Sequence, residues 1–357
     1  MAITVNTVPA NISNSGAFNV TTDLTEDASH VNLRIRAAIT VSAVVVATIE
    51  KPKGLPDFDF AEILKPLVPG ISFARDSGDL VKVSGGSPLV AYTVLFTEVY
   101  EVAGVTTTGD TDTASGTTYR YVPCKGDGGL FSTYVMAASP VGGRFANRTL
   151  SNNICKFFTS NPKEYWLVFF TEVTDCTLYY SKDSGAWDST TNFTTTDGWG
   201  VVVVNIGELF SGVASDLRIQ IYVNGGVAIC DIITIYSDSS EIDERVVLEY
   251  DGIVGGKEYL AFEGIKDISF DTERKYITGS GMNKKPLSFK GINKQSLETR
   301  FKDINNASYL KSLLVSEDVK KLEPLYAAPT EVTITTDSVR ISNSEMFTNQ
   351  LDIEYEY

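Results

Sequence analysis

Few residues of this chain could do chemistry, and the first is its single histidine, His30, in TEDASHVNL. A Ser-His-Asp or Cys-His device would have to use it, and no G-x-S-x-G elbow accompanies it. A lone histidine beside a strand start reads as a loop residue. Carboxylates are the other resource. Asp57 and Asp59 alternate with Phe58 and Phe60, which would put both acids on one strand face at the separation a glycosidase uses for its paired carboxyls. Glu98 and Glu172 stand inside apolar strands, where a buried carboxyl could serve as a general acid. With 45 acidic residues in the chain, such pairs arise in any sandwich, so they do not by themselves define an enzyme. Asp110 and Asp112 have the i, i+2 spacing of calcium ligands, but the glycine and terminal glutamate of an EF-hand loop are missing. GIVGGKEY, from Gly252, resembles a phosphate loop only superficially, because G-x-x-x-x-G-K-[ST] is not satisfied and a strand follows Lys257. Cys124, Cys155, Cys176 and Cys230 lack C-x-x-C spacing and a neighbouring histidine, so they read as four buried free thiols. No catalytic, cofactor-binding or metal-binding residue is assigned.

Two further groups suit recognition better than reaction. Trp187, Phe193 and Trp199 fall in DSGAWDSTTNFTTTDGW, which reads as a polar loop. There the aromatics would pack at the end of a sandwich or at a subunit contact, or else form an exposed platform for a host glycan or receptor. Lys284, Lys285, Lys290 and Lys294 lie with Lys275 in KYITGSGMNKKPLSFKGINK, which alternates with apolar residues like one hairpin with a cationic face. They form a candidate assembly contact with an acidic neighbouring subunit; the plainer reading is a solvated face whose lysines guard an edge. The closing strand LDIEYEY is a second candidate for meeting a neighbour.

The elements that must position these residues are mostly strands. The chain of 357 residues is rich in Gly, Tyr, Phe, Thr and Val, with 4 Met, a bias typical of an all-β protein. Its formal charge of −15 makes nucleic acid and anionic membranes poor partners, since both select basic surfaces. The start, MAITVNTVPAN, lacks the charged and apolar regions of a secretory leader. The longest apolar run, AAITVSAVVVATI at 37–49, is too short to span a bilayer and is β-branched, which favours a buried strand pair rather than membrane insertion.

A repeat organises the chain. FDFAEILKPLVPG from Phe58 matches VNIGELFSGV from Val204, about 140 residues downstream, as a strand running into one helical turn. Phe58, Phe60, Ile63 and Leu64 fall on Val204, Ile206, Leu209 and Phe210. SGDLVKV from Ser77 aligns with ASDLRIQI from Ala214, and VNLRIRAAITV from Val31 takes the place of YWLVFFTEVTDCTLYY from Tyr165. The expected fold is mainly β: two tandem fibronectin/Ig-like β-sandwiches at 1–140 and 141–240, the second a duplicate of the first, then an α+β domain at 241–357. Trp166 would be core in the second. LVAYTVLFTEVYEV at 89–102 reads as a central strand, and GVTTTGDTDTASGTT at 104–118 as a long hairpin tip or exposed loop. In the last domain VVLEY and KEYLAFEG form a hairpin around GIVGG. Two long strands, 265–278 and 287–302, follow, then a helix through INNASYLKSLLVSEDVKKL, with Tyr309, Leu310, Leu313 and Leu314 on one face.

The order of these features resembles a known group. K-P-x-G-x-x-x-F-D-F-x-x-I-L, the strand ending FTEVYEV, and the C-terminal series LEYDGIVGGKEYLAFEG, YLKSLLVSEDVKKL, PTEVTITTDSVRI and LDIEYEY look like structural virion proteins of tailed phages and prophages of Bacteroidota. Such proteins serve as tail, baseplate, neck or fibre components. The resemblance implies a non-enzymatic virion component, a homo-oligomer whose partners are other copies of itself and other virion proteins. It supplies no catalytic residues. A carbohydrate- or receptor-binding adhesin using the Trp187 to Trp199 segment is the alternative.

Overall fold

The computed structural model describes residues 3–27, 29–69, 81–83, 86–112, 116–123, 131, 133–137, 143–147, 157–158, 164–195, 198–205, 209, 215–223, 226–238, 246–262, 264–278, 284–301, 304–322, 328–336 and 347–356. The protein is mainly β: strands hold 64% and helices 7% of the described residues.

The first ten strands are β1 (Ile3–Thr7), β2 (Ile12–Ser13), β3 (Ala17–Thr22), β4 (Val31–Val41), β5 (Val44–Pro52), β6 (Asp57–Asp59), β7 (Val81–Val83), β8 (Val90–Val102), β9 (Val105–Asp112) and β10 (Tyr119–Tyr121). A short helix, α1 (Ala61–Leu64), follows β6. A small sheet, β1-β3-β6, faces a large one, β2-β10-β8-β4-β5, with β9 pairing β8. Alternating residues of β4 and β8, Ile35, Ala37, Ile39, Val94 and Phe96, turn inward onto Phe18, Phe58 and Phe60 from the small sheet and its helical turn. Those phenyl rings stack with centroids 5.5–6.0 Å apart, in the tilted geometries that ring quadrupoles favour. Just before α1, Asp59 accepts the Ala61 N–H at 3.0 Å in a turn of its own backbone.

The run 104–118 is not a loop over its first half. Residues 105–112 form β9, turned back onto β8 by Ala103 and Gly104, both at positive φ. Such a two-residue turn matches the twist of the flanking strands, and a threonine-rich segment suits an edge exposed on one face.

The next eight strands are β11 (Val135–Met136), β12 (Phe157–Phe158), β13 (Glu164–Thr171), β14 (Asp175–Lys182), β15 (Trp187–Thr194), β16 (Trp199–Asn205), β17 (Asp216–Val223) and β18 (Ile233–Asp238). They give a sheet β11-β13-β16-β7 and a sheet β12-β18-β17-β14-β15 around a second core that includes Trp166, Phe169, Leu178, Ile219 and Ile235. β7 comes from the first 140 residues yet pairs with β16.

The two large sheets share one strand order. β5-β4-β8-β10-β2 corresponds to β15-β14-β17-β18-β12, and the last pair is parallel in each. In the small sheets β6 follows β4 and β5 and pairs β3, while β16 follows β14 and β15 and pairs β13. Phe58 and Val204 therefore occupy corresponding strands. Leu209 is buried, whereas Ile63, on which it falls, is only half-buried; Ile206 and Phe210 lie outside the described residues. Two of the aligned segments do not correspond. ASDLRIQI enters β17, whose counterpart is β8, whereas the described part of SGDLVKV is β7 in a small sheet. Within 165–180 only β14 matches β4, because β13 takes the place of β3. Strands rich in Val and Ile look alike whichever sheet they join.

The remaining elements are β19 (Val246–Asp251), β20 (Lys257–Phe262), β21 (Gly264–Thr278), β22 (Lys284–Phe301), helix α2 (Ile304–Leu314), β23 (Val319–Leu322), β24 (Thr330–Glu331), β25 (Thr333–Ile334) and β26 (Phe347–Glu356). A sheet β20-β19-β23-β24 and a sheet β21-β22-β26-β25 enclose a third core with Leu310 and Leu313 of α2. The helix stops at Leu314, and VKKL forms β23 instead of continuing it. Val319 and Leu322 are buried on opposite sides, in the third and second cores, a role that a strand between two layers fills. β26 pairs β22 along its length, and β25 covers its other edge at Ile353 and Glu354.

Candidate functional site

The reactive candidates are committed to local structure. His30 lies in one turn with Asp27 and Ser29: its Nδ1 is 3.2 Å from Asp27 Oδ1 and 3.3 Å from Ser29 Oγ. This is no relay, because the serine hydroxyl donates to Asp27 at 2.6 Å and both residues address the same ring nitrogen. The hydroxyl and backbone N–H of Ser29 hold the Asp27 carboxyl down at about 2. Asp57 accepts from Asn19 Nδ2 at 2.6 Å, and Asp59 accepts the Ala61 N–H. Glu98 is buried, accepting the Thr22 hydroxyl and, at 3.1 Å, the Asp110 N–H, so it fastens β9 to β8 and β3. Glu172 is exposed.

A larger polar feature is the junction of the three sheet pairs, which sequence reasoning missed. The β19–β20 hairpin carries GIVGG into it. Gly255 has φ +87°, and a Cβ there would stand 2.6 Å from Val122 Cγ1; one on Gly256 would meet Ala146 Cβ at 2.7 Å. The glycines are present for close approach, not for phosphate. Val254 joins Ile12, Val122, Phe131, Phe170 and Trp199 in a core cluster common to all three. Buried Asn147 bridges the Lys257 carbonyl and the Val168 N–H. Beside it opens a cleft of about 730 Å³ lined by Glu62, Lys65, Tyr121, Asp251, Lys257 and Asp318 among others. Lys257 Nζ lies 2.7 Å from Asp251 and 2.8 Å from Asp318. Burial alone would lower its pKa, but Asp251 and Glu249 keep it above 10.5, so it is a fixed cation and not a base. Asp318 is pulled below 3.8 against its own desolvation by hydrogen bonding to Lys257.

The three aromatics do not form one surface. Trp187 to Thr194 is an edge strand, β15, because its Ser and Thr residues pair with β14. Phe193 is buried in the second core and Trp199 in the junction cluster. Trp187 alone is partly exposed, with the Arg218 guanidinium 5.4 Å from its ring centre.

The lysines are spread along the β21–β22 ribbon. Lys294 is taken up within the chain, 2.8 Å from Glu354 and 3.1 Å from Asp271, and those partners hold its pKa above the usual value. Lys290 is exposed; the side chains of Lys284 and Lys285 lie outside the described residues. Buried Cys176 and Cys230 are free thiols whose pKa values burial pushes up to about 12, and Cys124 and Cys155 lie outside the description. Compared with known proteins, the chain matches no protein-family model and no curated sequence.

Proposed function

We propose that this chain is a non-enzymatic structural component of a phage virion, in the tail, neck or fibre apparatus, acting through protein–protein assembly. Its architecture is then two fibronectin/Ig-like sandwiches related by duplication, followed by an α+β domain. The observation that carries the reading is how the polar side chains are used. His30, Asp57, Asp59, Glu98 and Lys257 all hold turns, strands or the junction together. Meanwhile the third sheet pair extends a ribbon past its own core. The shared strand order of the large sheets supports duplication, and the resemblance to virion proteins supplies the setting.

The test is co-sedimentation. Particles induced from a lysogen that encodes the chain are banded on a density gradient, and the chain is detected across the fractions. It should travel with intact particles; recovery only in the soluble fraction removes the virion role. Trp187 supports the adhesin reading, since it is the one candidate aromatic left reachable. That reading requires Trp187→Ala to abolish glycan binding while particle incorporation persists.

A further inference from the structure

We propose that the outer part of the β21–β22 ribbon, residues 268–278 with 284–291, is a rod that docks onto a second copy of this chain. The proposal concerns self-association alone and goes beyond the virion reading. β26 covers β22 only from Ile292 inward, where Ile292 pairs with Asp271 on the other side. Beyond that row β21 and β22 continue as a pair to Thr278 opposite Lys284, and among the described residues no third strand joins them. Seven residue pairs extend about 23 Å, and a rod about 10 Å across then has a full lateral surface on the order of 700 Å², so a partner that grips it on most sides reaches about one partner's share of a standard interface. A free two-stranded ribbon is marginal in water, so a binding partner would stabilise it.

Its surface indicates what that partner is. Leu297 with Leu351, and Gln295 with Ile353, lie on the face of the sheet that buries the third core. The same face continues outward through Ile268, opposite Gln295, and Phe270, opposite Asn293. Here it is uncovered: Ile268, Phe270 and, further out, Tyr276 are 63%, 55% and 50% exposed. In sequence, the outer strands and their connection reverse the sign of the chain's charge. Residues 268–291 hold five cations, Arg274, Lys275, Lys284, Lys285 and Lys290, against Asp271 and Glu273, a net of +3; the rest of the chain therefore carries −18 of the total −15. A second copy presents that acidic body, and inserting a cationic rod offsets the repulsion between two like-charged chains. The contact is heterologous, ribbon to body, and so builds a ring or a filament. Lys294, already paired within the chain, lies outside it.

Sedimentation velocity on the full chain tests this at about 50 mM and about 500 mM salt. Wild type should self-associate, more weakly at high salt. Phe270→Ser with Tyr276→Ser should weaken association roughly ten-fold or more at both salts, at an unchanged melting temperature. Lys284→Glu with Lys285→Glu should weaken it mainly at low salt, and this surface pair keeps the test valid if the aromatic variant misfolds. A wild-type monomer at about 100 µM in low salt overturns the proposal, as does an oligomer that both variants leave intact.

Discussion

Tyr259 reaches from β20 to β13, where its hydroxyl oxygen accepts the Trp166 N–H at 2.6 Å and its ring meets Tyr165 edge-on at 4.9 Å. Tyr259→Phe keeps the ring but takes this acceptor from a buried N–H, and should cost about 1–3 kcal/mol in denaturant unfolding. Cys176 and Cys230, with thiol pKa values near 12, should stay unlabelled by iodoacetamide at about pH 8 until the protein unfolds. The Lys257–Asp318 pair makes a pH prediction of known sign. Asp318 is depressed on folding, so its contribution is complete above its unfolded value of 3.8 and is lost as pH falls through the lower folded value. Lys257 is raised, so its contribution is complete below 10.5 and is lost as pH rises past the higher folded value. Stability measured against pH should be flat between these limbs with respect to this pair, and Lys257→Met should flatten both limbs. At this scale the sequence showed which residue types exist but not their use. His30 was legible as a turn residue from its isolation, whereas buried Glu98 and Lys257 acquire roles only when distant strands bring Thr22 and Asp318 to them.

The hairpin turns are the elements least legible in advance. Ser42 and Ala43 join β4 to β5 at φ 50° and 64°, a primed turn made without glycine or asparagine. A left-handed alanine costs about 1–2 kcal/mol, partly offset by the larger unfolded-state entropy of glycine. Ala43→Gly should therefore raise stability by about 0.5–1 kcal/mol, read from the urea midpoint at constant m. The opposite sign applies at the junction. Gly255→Ala is strained at φ +87° and drives a methyl against Val122, so it should destabilise by about 1–3 kcal/mol. The long strands β4 and β8 are legible as strands, but their cover is not. β8, read as central from a nearly continuous apolar run, alternates buried and exposed residues. β5, expected as half of a buried pair, exposes Val44, Val45 and Val46 because it is the edge of its sheet. β9 and β15 are not legible even as strands, because Thr, Ser and Asp signal loops until a neighbouring strand pairs with them. The expected helix runs too far for a related reason: Glu317, Lys320, Lys321 and Leu322 suit a helix, but burial of Val319 and Leu322 in two separate cores selects a strand.

For the whole molecule, composition sufficed to give a β-rich chain, and the strand-into-turn repeat pointed to two sheets of one order. It could not reveal that β7 pairs with β16, that GIVGG packs against Val122 and Ala146, or that Trp199 is drawn into a cluster common to three cores. These are long-range contacts with no local signature. They also join the sheet pairs through a buried apolar junction, which opposes relative motion between them. The proposed role is that of a structural part of a virion. Immunogold electron microscopy of intact particles, using antibody raised to the purified chain, tests it most directly. Gold should fall at one fixed position on the tail, neck or fibre of every particle. Particles that carry no gold, while an antibody to a known major structural protein labels them, would rule out the virion role.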